Sequence, residues 1–310
     1  MKFIFIVPSE EMLPSKALLE KLAGHGEIGI IKHTGRLSDL VELKNDTADK
    51  ILAVDPSSFG SDLDADSIKD IPNVKAVMPS TTGFDWIKPE VLKSLGVVAC
   101  NDPGFSTDSV AEYAVAMAIE VSRRLPMIIK NGWKMDLKDQ KPRLLKGRVA
   151  GIIGLGRIGT RVAEICSGIG MKVIYYSKNS SDARFKKVEL NQLFSDADLI
   201  IPALAVNTET KKLLTNELLD LIKPTTVLVG IGRVRDLWDE SYILTRVEQE
   251  KLAGYAFEDE KAKDSNSYTG NILALPSIAW YTQESFDNMM IIWIENMIAF
   301  ANNKPQNVVN

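Results

Sequence analysis

The residues Gly154-Leu155-Gly156-Arg157-Ile158-Gly159 have the types and spacing to hold phosphate. They follow the apolar run VAGIIG and precede a helical pattern, and a second apolar run, MKVIYY, closes the unit. In such a strand–turn–helix the first glycine permits the tight turn. The second lets a pyrophosphate approach the backbone, and the third lets helix pack on strand. The first N–H groups of the helix and its dipole attract the phosphates. Gly154, Gly156, Arg157, Ile158 and Gly159 are therefore expected to bind a dinucleotide. After the second run an NAD site usually carries Asp or Glu, which accepts hydrogen bonds from the ribose hydroxyls. Here the position is Ser177, followed by Lys178 and Asn179. A 2′-phosphate meets no repulsion at such a site. Ser177 and Lys178 can bind it, with Arg184 in reach if its loop folds back. The pattern favours NADP(H) over NAD(H), although a solvated Lys178 would admit either.

Other reactive side chains are sparse. The two histidines, His25 and His33, both precede the glycine run and read as structural or solvated groups. Cys100 and Cys166 are two thiols in a long chain, which suits a reducing cytoplasm. No metal-ligand spacing is present, and no metal is expected. Basic residues recur at 130, 134, 138, 141, 143, 146 and 148. They read as a solvated linker between domains rather than a nucleic-acid patch.

The elements that must position these groups alternate. Residues 2–8, 28–32, 51–55, 74–78 and 97–100 read as buried parallel strands, with helices over 15–23 and 89–95 between them. A long helix follows over about 109–124, stopped near Pro126. Strands then resume at 149–153, 172–176, 199–203, 226–229, 254–257 and 272–275, and a last helix covers about 285–301. This is the α/β class: two Rossmann-like domains, each a parallel sheet covered on both faces. A net charge of −4 argues against nucleic acid as a partner, and no apolar run approaches the ~20 residues needed to span a bilayer. A cytoplasmic protein without membrane or nucleic-acid partners is expected.

Taken together, STTGFDWI (80–87), NDPGFSTDSVAE (101–112), NGW (131–133), LLKGRVAGIIGLGRIG (144–159), NTETKKLLTNELLDLIKPTTVLVGIGR (207–233) and PSIAWYT (276–282) resemble the D-2-hydroxyacid dehydrogenases, in family order and over nearly the whole chain. The resemblance implies a flavodoxin-like substrate domain from residues 1–98 and 286–310, and an NAD(P)-binding domain over 99–285 inserted in it. It also implies a homodimer, with the helix VAEYAVAMAIEVSRR near the contact. The reaction would be hydride transfer between a nicotinamide and a 2-keto or 2-hydroxy acid. The backbone N–H groups of Thr81, Thr82 and Gly83 would hold the substrate carboxylate, and Thr107 would lie beside the nicotinamide. Arg233 would clamp carboxylate and keto oxygen, with Arg235 next in line, and a planar guanidinium suits that two-point contact. Glu258 falls where the family places an acidic residue facing the nicotinamide amide, although the family prefers Asp there.

Two departures concern the acid. The glutamate that orients the family's histidine falls on Lys263-Asp264, with Glu260 as a displaced substitute, and the histidine position itself holds Ser277. No histidine follows residue 33, so no shift of alignment restores one. A hydroxyl cannot deliver a proton near pH 7, and general acid catalysis is typically worth ~10²–10⁴-fold. Tyr281, Tyr255, Lys261 and Glu260 are candidate substitutes. Three readings follow: a dehydrogenase or reductase with an altered proton relay; an NAD(P)-binding sensor or partner protein with little catalysis; or a reductase of a substrate that needs no acid, such as a protonated imine. A pocket blocked by Trp238 or Trp280 would favour the second.

Overall fold

The structure is a computed structural model that describes every residue except 135–140, 208, 233–235 and 260–264. The chain forms two compact units, one of residues 1–106 and 283–310, the other of residues 107–282. The divisions fall at the first residues of two helices rather than at 98/99 and 285/286.

In the first unit, strands β1 (Lys2–Val7), β2 (Glu27–Lys32), β3 (Lys50–Val54), β4 (Val74–Pro79) and β5 (Val98–Ala99) form one parallel sheet in the order β2-β1-β3-β4-β5. Helices α1 (Lys16–Ala23), α2 (Val41–Asn45) and α3 (Pro89–Ser94) connect them. Strands buried on both faces read as continuous apolar runs, and KFIFIV and KILAV do. β2 corrects the expectation of a buried strand. It lies at the sheet edge, and its side chains are exposed or half-buried. One face carries Ile4, Ile6, Leu52, Val54 and Val77 in a shared core. On β1 the intervening Phe5 packs edge-on against Trp293, whose indole N–H donates to Met78 O at 2.8 Å.

The second unit opens with α4 (Thr107–Ser122) and α5 (Leu125–Lys130). Arg124 between them is left-handed, and Pro126 sits in the first turn of α5, where a missing N–H costs nothing. The proline therefore opens a second helix rather than simply ending the first. The chain continues as β6 (Val149–Ile153), α6 (Arg157–Gly168), β7 (Lys172–Tyr176), β8 (Lys186–Lys187), α7 (Leu190–Asp196), β9 (Leu199–Pro202), α8 (Asn216–Asp220), β10 (Val227–Gly230), α9 (Glu240–Glu248), β11 (Gly254–Glu258) and β12 (Ile272–Leu275). The sheet is parallel, in the order β12-β11-β10-β9-β6-β7-β8. Alternation along the strands feeds two cores. Ala150, Ile152 and Leu199 join α4 and α6 on one face, and Ile153, Ile200 and Phe257 join α7 and α9 on the other. The final helix, α10 (Gln283–Ala301), returns to the first unit.

Candidate active site

The glycine loop leaves the carboxyl end of β6, at the point where strand order reverses between β6 and β9. Ligands of open α/β sheets bind at such a point. Its three glycines are constrained differently. Gly154 has φ of +95°, its N–H donates to Tyr176 O at 2.8 Å, and a Cβ there would meet Ala203 O at 2.8 Å. A Cβ on Gly159 would lie 1.9 Å from Gly154 O, so only glycine lets α6 lie this close to its strand. Gly156, the N-cap of α6, faces open space and has an ordinary φ of −79°. Nothing in the fold requires glycine there, whereas a phosphate seated on the helix end would. Arg157 and Ile158 open α6, which turns Gly159, Val162, Ala163 and Cys166 toward the core. This cradle fits a dinucleotide pyrophosphate.

Ser177 is buried just past β7, its Oγ accepting from Ser180 N–H at 3.2 Å. Lys178 is not a free cation, because its Nζ meets Glu209 Oε2 at 2.7 Å. Arg184 is held by Asp182 at 2.6 Å and by Glu164 at 2.8 Å. No carboxylate stands at this position in the chain, but Glu209 brings one beside Lys178 from 31 residues downstream. The pair is exposed on both sides.

Glu258, at the end of β11 and 4% exposed, joins two loops of this unit. Its Oε1 accepts from Ala279 N–H at 2.7 Å and its Oε2 from Gly232 N–H at 3.2 Å. From the other side Ser109 Oγ in α4 donates to Ala279 O at 2.6 Å. The turn carrying Ser277 is thus pinned two residues further on by groups from β11 and α4. Ser277 itself is half-buried. Tyr113, half-buried on α4, has its phenol pushed up to about 12 by burial, then by the charges of Glu258 and Glu120. Ser109 is a positioning group that the sequence reading missed, because 170 residues separate it from its partner.

Several expectations change here. Trp238 is 3% exposed and packs edge-on against Tyr255 in the core, so it blocks no pocket. Tyr255 is fully buried and stacked on Phe257, which removes it as a proton donor. Tyr281 is exposed, in edge contact with Trp280. Burial pushes the thiols of Cys100 and Cys166 up to about 12, so neither is a nucleophile. Arg233, Arg235, Glu260, Lys261, Lys263 and Asp264 lie outside the described residues. Thr107 is the first residue of α4.

In the first unit, Thr81, Thr82 and Gly83 follow the carboxyl end of β4. Asp102 fastens this loop. Its N–H donates to Thr81 O at 2.9 Å, and its carbonyl accepts from Thr82 Oγ1 at 2.6 Å. Asn101 Nδ2 donates to Thr82 O at 2.6 Å, and Thr81 Oγ1 accepts from Trp86 Nε1 at 3.1 Å. The N–H groups of Thr81, Thr82 and Gly83 donate to none of the described residues, so three consecutive donors remain available to an anion.

A parallel sheet with a phosphate cradle at its strand reversal is the architecture of a dinucleotide-dependent oxidoreductase. Residues 115–279 match the family described as D-isomer specific 2-hydroxyacid dehydrogenase, NAD binding domain. The chain is 30% identical over 272 residues, 80% of each chain, to a glyoxylate reductase of Aeropyrum pernix. It is 25% identical to a glycerate dehydrogenase of Methylorubrum extorquens, over 79% of this chain and 82% of that one. Among solved structures it is similar to an acyclic imino acid reductase (Bsp5) in complex with NADPH and D-Arg. That match has a TM-score of 0.84 and 26% identity and covers both chains completely. The chain belongs to the D-isomer specific 2-hydroxyacid dehydrogenase family and is an oxidoreductase of that kind.

Proposed function

We propose that the chain transfers hydride between a nicotinamide dinucleotide and C2 of a small 2-keto or 2-hydroxy acid, using a proton relay that lacks the family's histidine. The supporting observation is the frame around Ala279, where Glu258 and Ser109 hold the Ser277 turn past the carboxyl ends of β11 and β12, in the sheet whose β6 carries the glycine loop. The open N–H groups of Thr81, Thr82 and Gly83 suit a carboxylate, and Arg233 carries the keto oxygen in this reading. Gly154, Gly156 and Gly159 with the first turn of α6 hold the pyrophosphate, with Thr107 beside the nicotinamide ring. Ser177, Lys178 and Glu209 receive the adenosine ribose, either as NAD(H) or, once Lys178 leaves Glu209, as NADP(H). A bound nicotinamide supplies or accepts the hydride. Ser277 donates a hydrogen bond only, and Tyr281 is the described side chain left to deliver a proton. The unit of residues 107–282 is the cofactor domain, the other the substrate domain. The working form is a homodimer with α4 near its contact.

A second reading is favoured by Ser277 itself. Hydride addition to a ketone leaves an alkoxide that must be protonated, whereas addition to a protonated imine gives a neutral amine directly. A 2-imino acid needs no histidine, and the similar imino acid reductase points the same way. The deciding experiment follows oxidation of NADH and NADPH with glyoxylate, pyruvate, hydroxypyruvate and phenylpyruvate, with and without ammonium or methylamine. Turnover without amine that rises about tenfold or more in Ser277→His supports the keto-acid reading, since an imidazole acid is worth ~10²–10⁴-fold. Turnover that requires amine and ignores Ser277→His supports the imine reading. Tight dinucleotide binding with no turnover in either variant sinks both.

A further inference from the structure

The basic run at residues 130–148 plays no part in the chemistry above, yet the fold gathers part of it. Lys141, Arg143 and Arg148 line one small cleft with Arg124, at the far end of α4. The cleft lies at the amino edge of the sheet of this unit. Arg148 immediately precedes β6, Asp198 immediately precedes β9 and Ala253 immediately precedes β11. The glycine loop leaves the opposite, carboxyl edge of β6, five residues or about 15 Å away. This is not the dinucleotide site.

The charge in the cleft is unbalanced. Among the described residues Arg124, Lys141 and Arg143 form no ion pair. The carboxylate of the lining, Asp198, is already engaged: Oδ1 meets Lys223 at 2.9 Å and Arg148 at 3.7 Å, and Oδ2 accepts from Val149 N–H at 3.0 Å. Two residues of the lining, Ser122 and Asn271, each bury a polar atom without a partner, Oγ and Oδ1. Ser122 and Asn271 are 7% and 4% exposed. Both hydrogens of the Asn271 amide are used, donating to Val121 O and Ala253 O at 2.9 Å each, which leaves Oδ1 as a pure acceptor. An unpaired buried polar atom destabilises the fold unless a ligand satisfies it. Three free cations, a hydroxyl able to donate and a carbonyl able only to accept describe the complement of an oxyanion that still carries a proton. The cleft is narrow, which limits the ligand to a small ion or to the terminal group of a longer one.

We propose that this cleft binds a hydrogen-bearing oxyanion of the phosphate class, with Arg124, Arg143 and Ser122 donating to it and Asn271 accepting from it. The C-terminal dipole of α4 works against an anion here, so the cations must outweigh it. The alternative is that they serve only to complement that helix end, without a ligand.

The test is calorimetric titration of inorganic phosphate into the full chain at constant ionic strength, with the dinucleotide site first saturated by NADH or NADPH. Phosphate is expected to bind, and sulfate, which has no proton for Asn271 at neutral pH, several-fold more weakly. Arg143→Gln and Arg124→Gln should each weaken phosphate about tenfold or more while leaving dinucleotide affinity unchanged. Crystals soaked in arsenate, a phosphate analogue, should show anomalous density between Arg143 and Ser122, a readout that does not depend on any variant folding. Four results overturn the proposal: no binding beyond a chloride control, binding abolished by the dinucleotide, equal affinity for sulfate, or no effect of either substitution. A shift of the monomer–dimer equilibrium in Arg124→Gln without any phosphate effect also overturns it, and assigns the cations to a subunit contact.

Discussion

Single residues in this fold are set by who else reaches them. Lys178 carries the argument for NADP(H) in the sequence, and Glu209 answers it in the structure. Both side chains are exposed, so the pair is cheap to open. Glu209→Gln should free Lys178 and remove a charge facing any 2′-phosphate. The NADPH-to-NADH affinity ratio should then rise several-fold with NADH binding unchanged, measured by fluorescence titration. An unchanged ratio would mean that this corner does not face the ribose. Asp102 makes the opposite case, a carboxyl with too few partners. It is fully buried, Oδ1 accepts from Asn296 Nδ2 at 2.9 Å, and Oδ2 has no partner. Burial pushes its pKa well up, and the Asn296 hydrogen bond only partly offsets this. A carboxyl that binds its proton more tightly folded than unfolded favours the fold at low pH. That share is complete below the unfolded value near ~3.9 and is lost as pH rises from there through the folded value. Asp102→Asn should therefore flatten the decline of stability above about pH 4 and stabilise the chain most at pH 7–8, read from urea midpoints across pH. Identical pH profiles for both proteins would show that Asp102 is ionised in the fold.

At the scale of elements, the loop between β6 and α6 separates what folding needs from what binding needs. Gly159→Ala drives a Cβ into Gly154 O and should cost about 3 kcal/mol, an overpacking loss against backbone that cannot move away. Gly156→Ala meets nothing and keeps an allowed φ, so its stability loss should stay within about 1 kcal/mol, the usual scale for an N-cap change. Its dinucleotide affinity should nevertheless fall tenfold or more. Equal affinity in Gly156→Ala would place the pyrophosphate elsewhere. This loop was fully legible in the sequence because its logic is local: three glycines, one strand and one helix within a few residues. The same holds for most strands of both sheets, whose apolar runs are contiguous, but not for β8, the exposed pair Lys186–Lys187, which no apolar run announces. The frame around Ala279 was not legible, because Ser109 and Glu258 reach it across 170 and 21 residues and no short spacing encodes that meeting. Trp238 misled for a related reason. An aromatic five residues past the candidate Arg233 suggests a pocket wall, but core packing against Tyr255 claimed it. The basic run looked like a solvated linker, and only folding against the end of α4 shows which of its charges converge.

At the scale of the whole molecule, each unit carries its own apolar core, so each should melt as its own cooperative event. The first unit is built from both ends of the described chain, and its closure depends on the last residues. Val309 N–H donates to Ala99 O, Asn310 Oδ1 accepts from Ala99 N–H, and Asn307 O accepts from Asn101 N–H at 3.1 Å. Asn307 Nδ2 also donates to Asn296 Oδ1, in the side chain that holds Asp102 beneath the 81–83 loop. Removing residues 307–310 deletes these bonds at roughly 1 kcal/mol each, an expected loss of about 3–4 kcal/mol borne by the first unit. Saturating dinucleotide at a hundredfold excess over its Kd should instead stabilise the second unit by about 2.7 kcal/mol. Differential scanning calorimetry of the full chain should therefore show two transitions that answer to different changes: the truncation lowers one by several degrees, and the dinucleotide raises the other by a similar amount. A single transition moved by both would mean that the two units unfold as one.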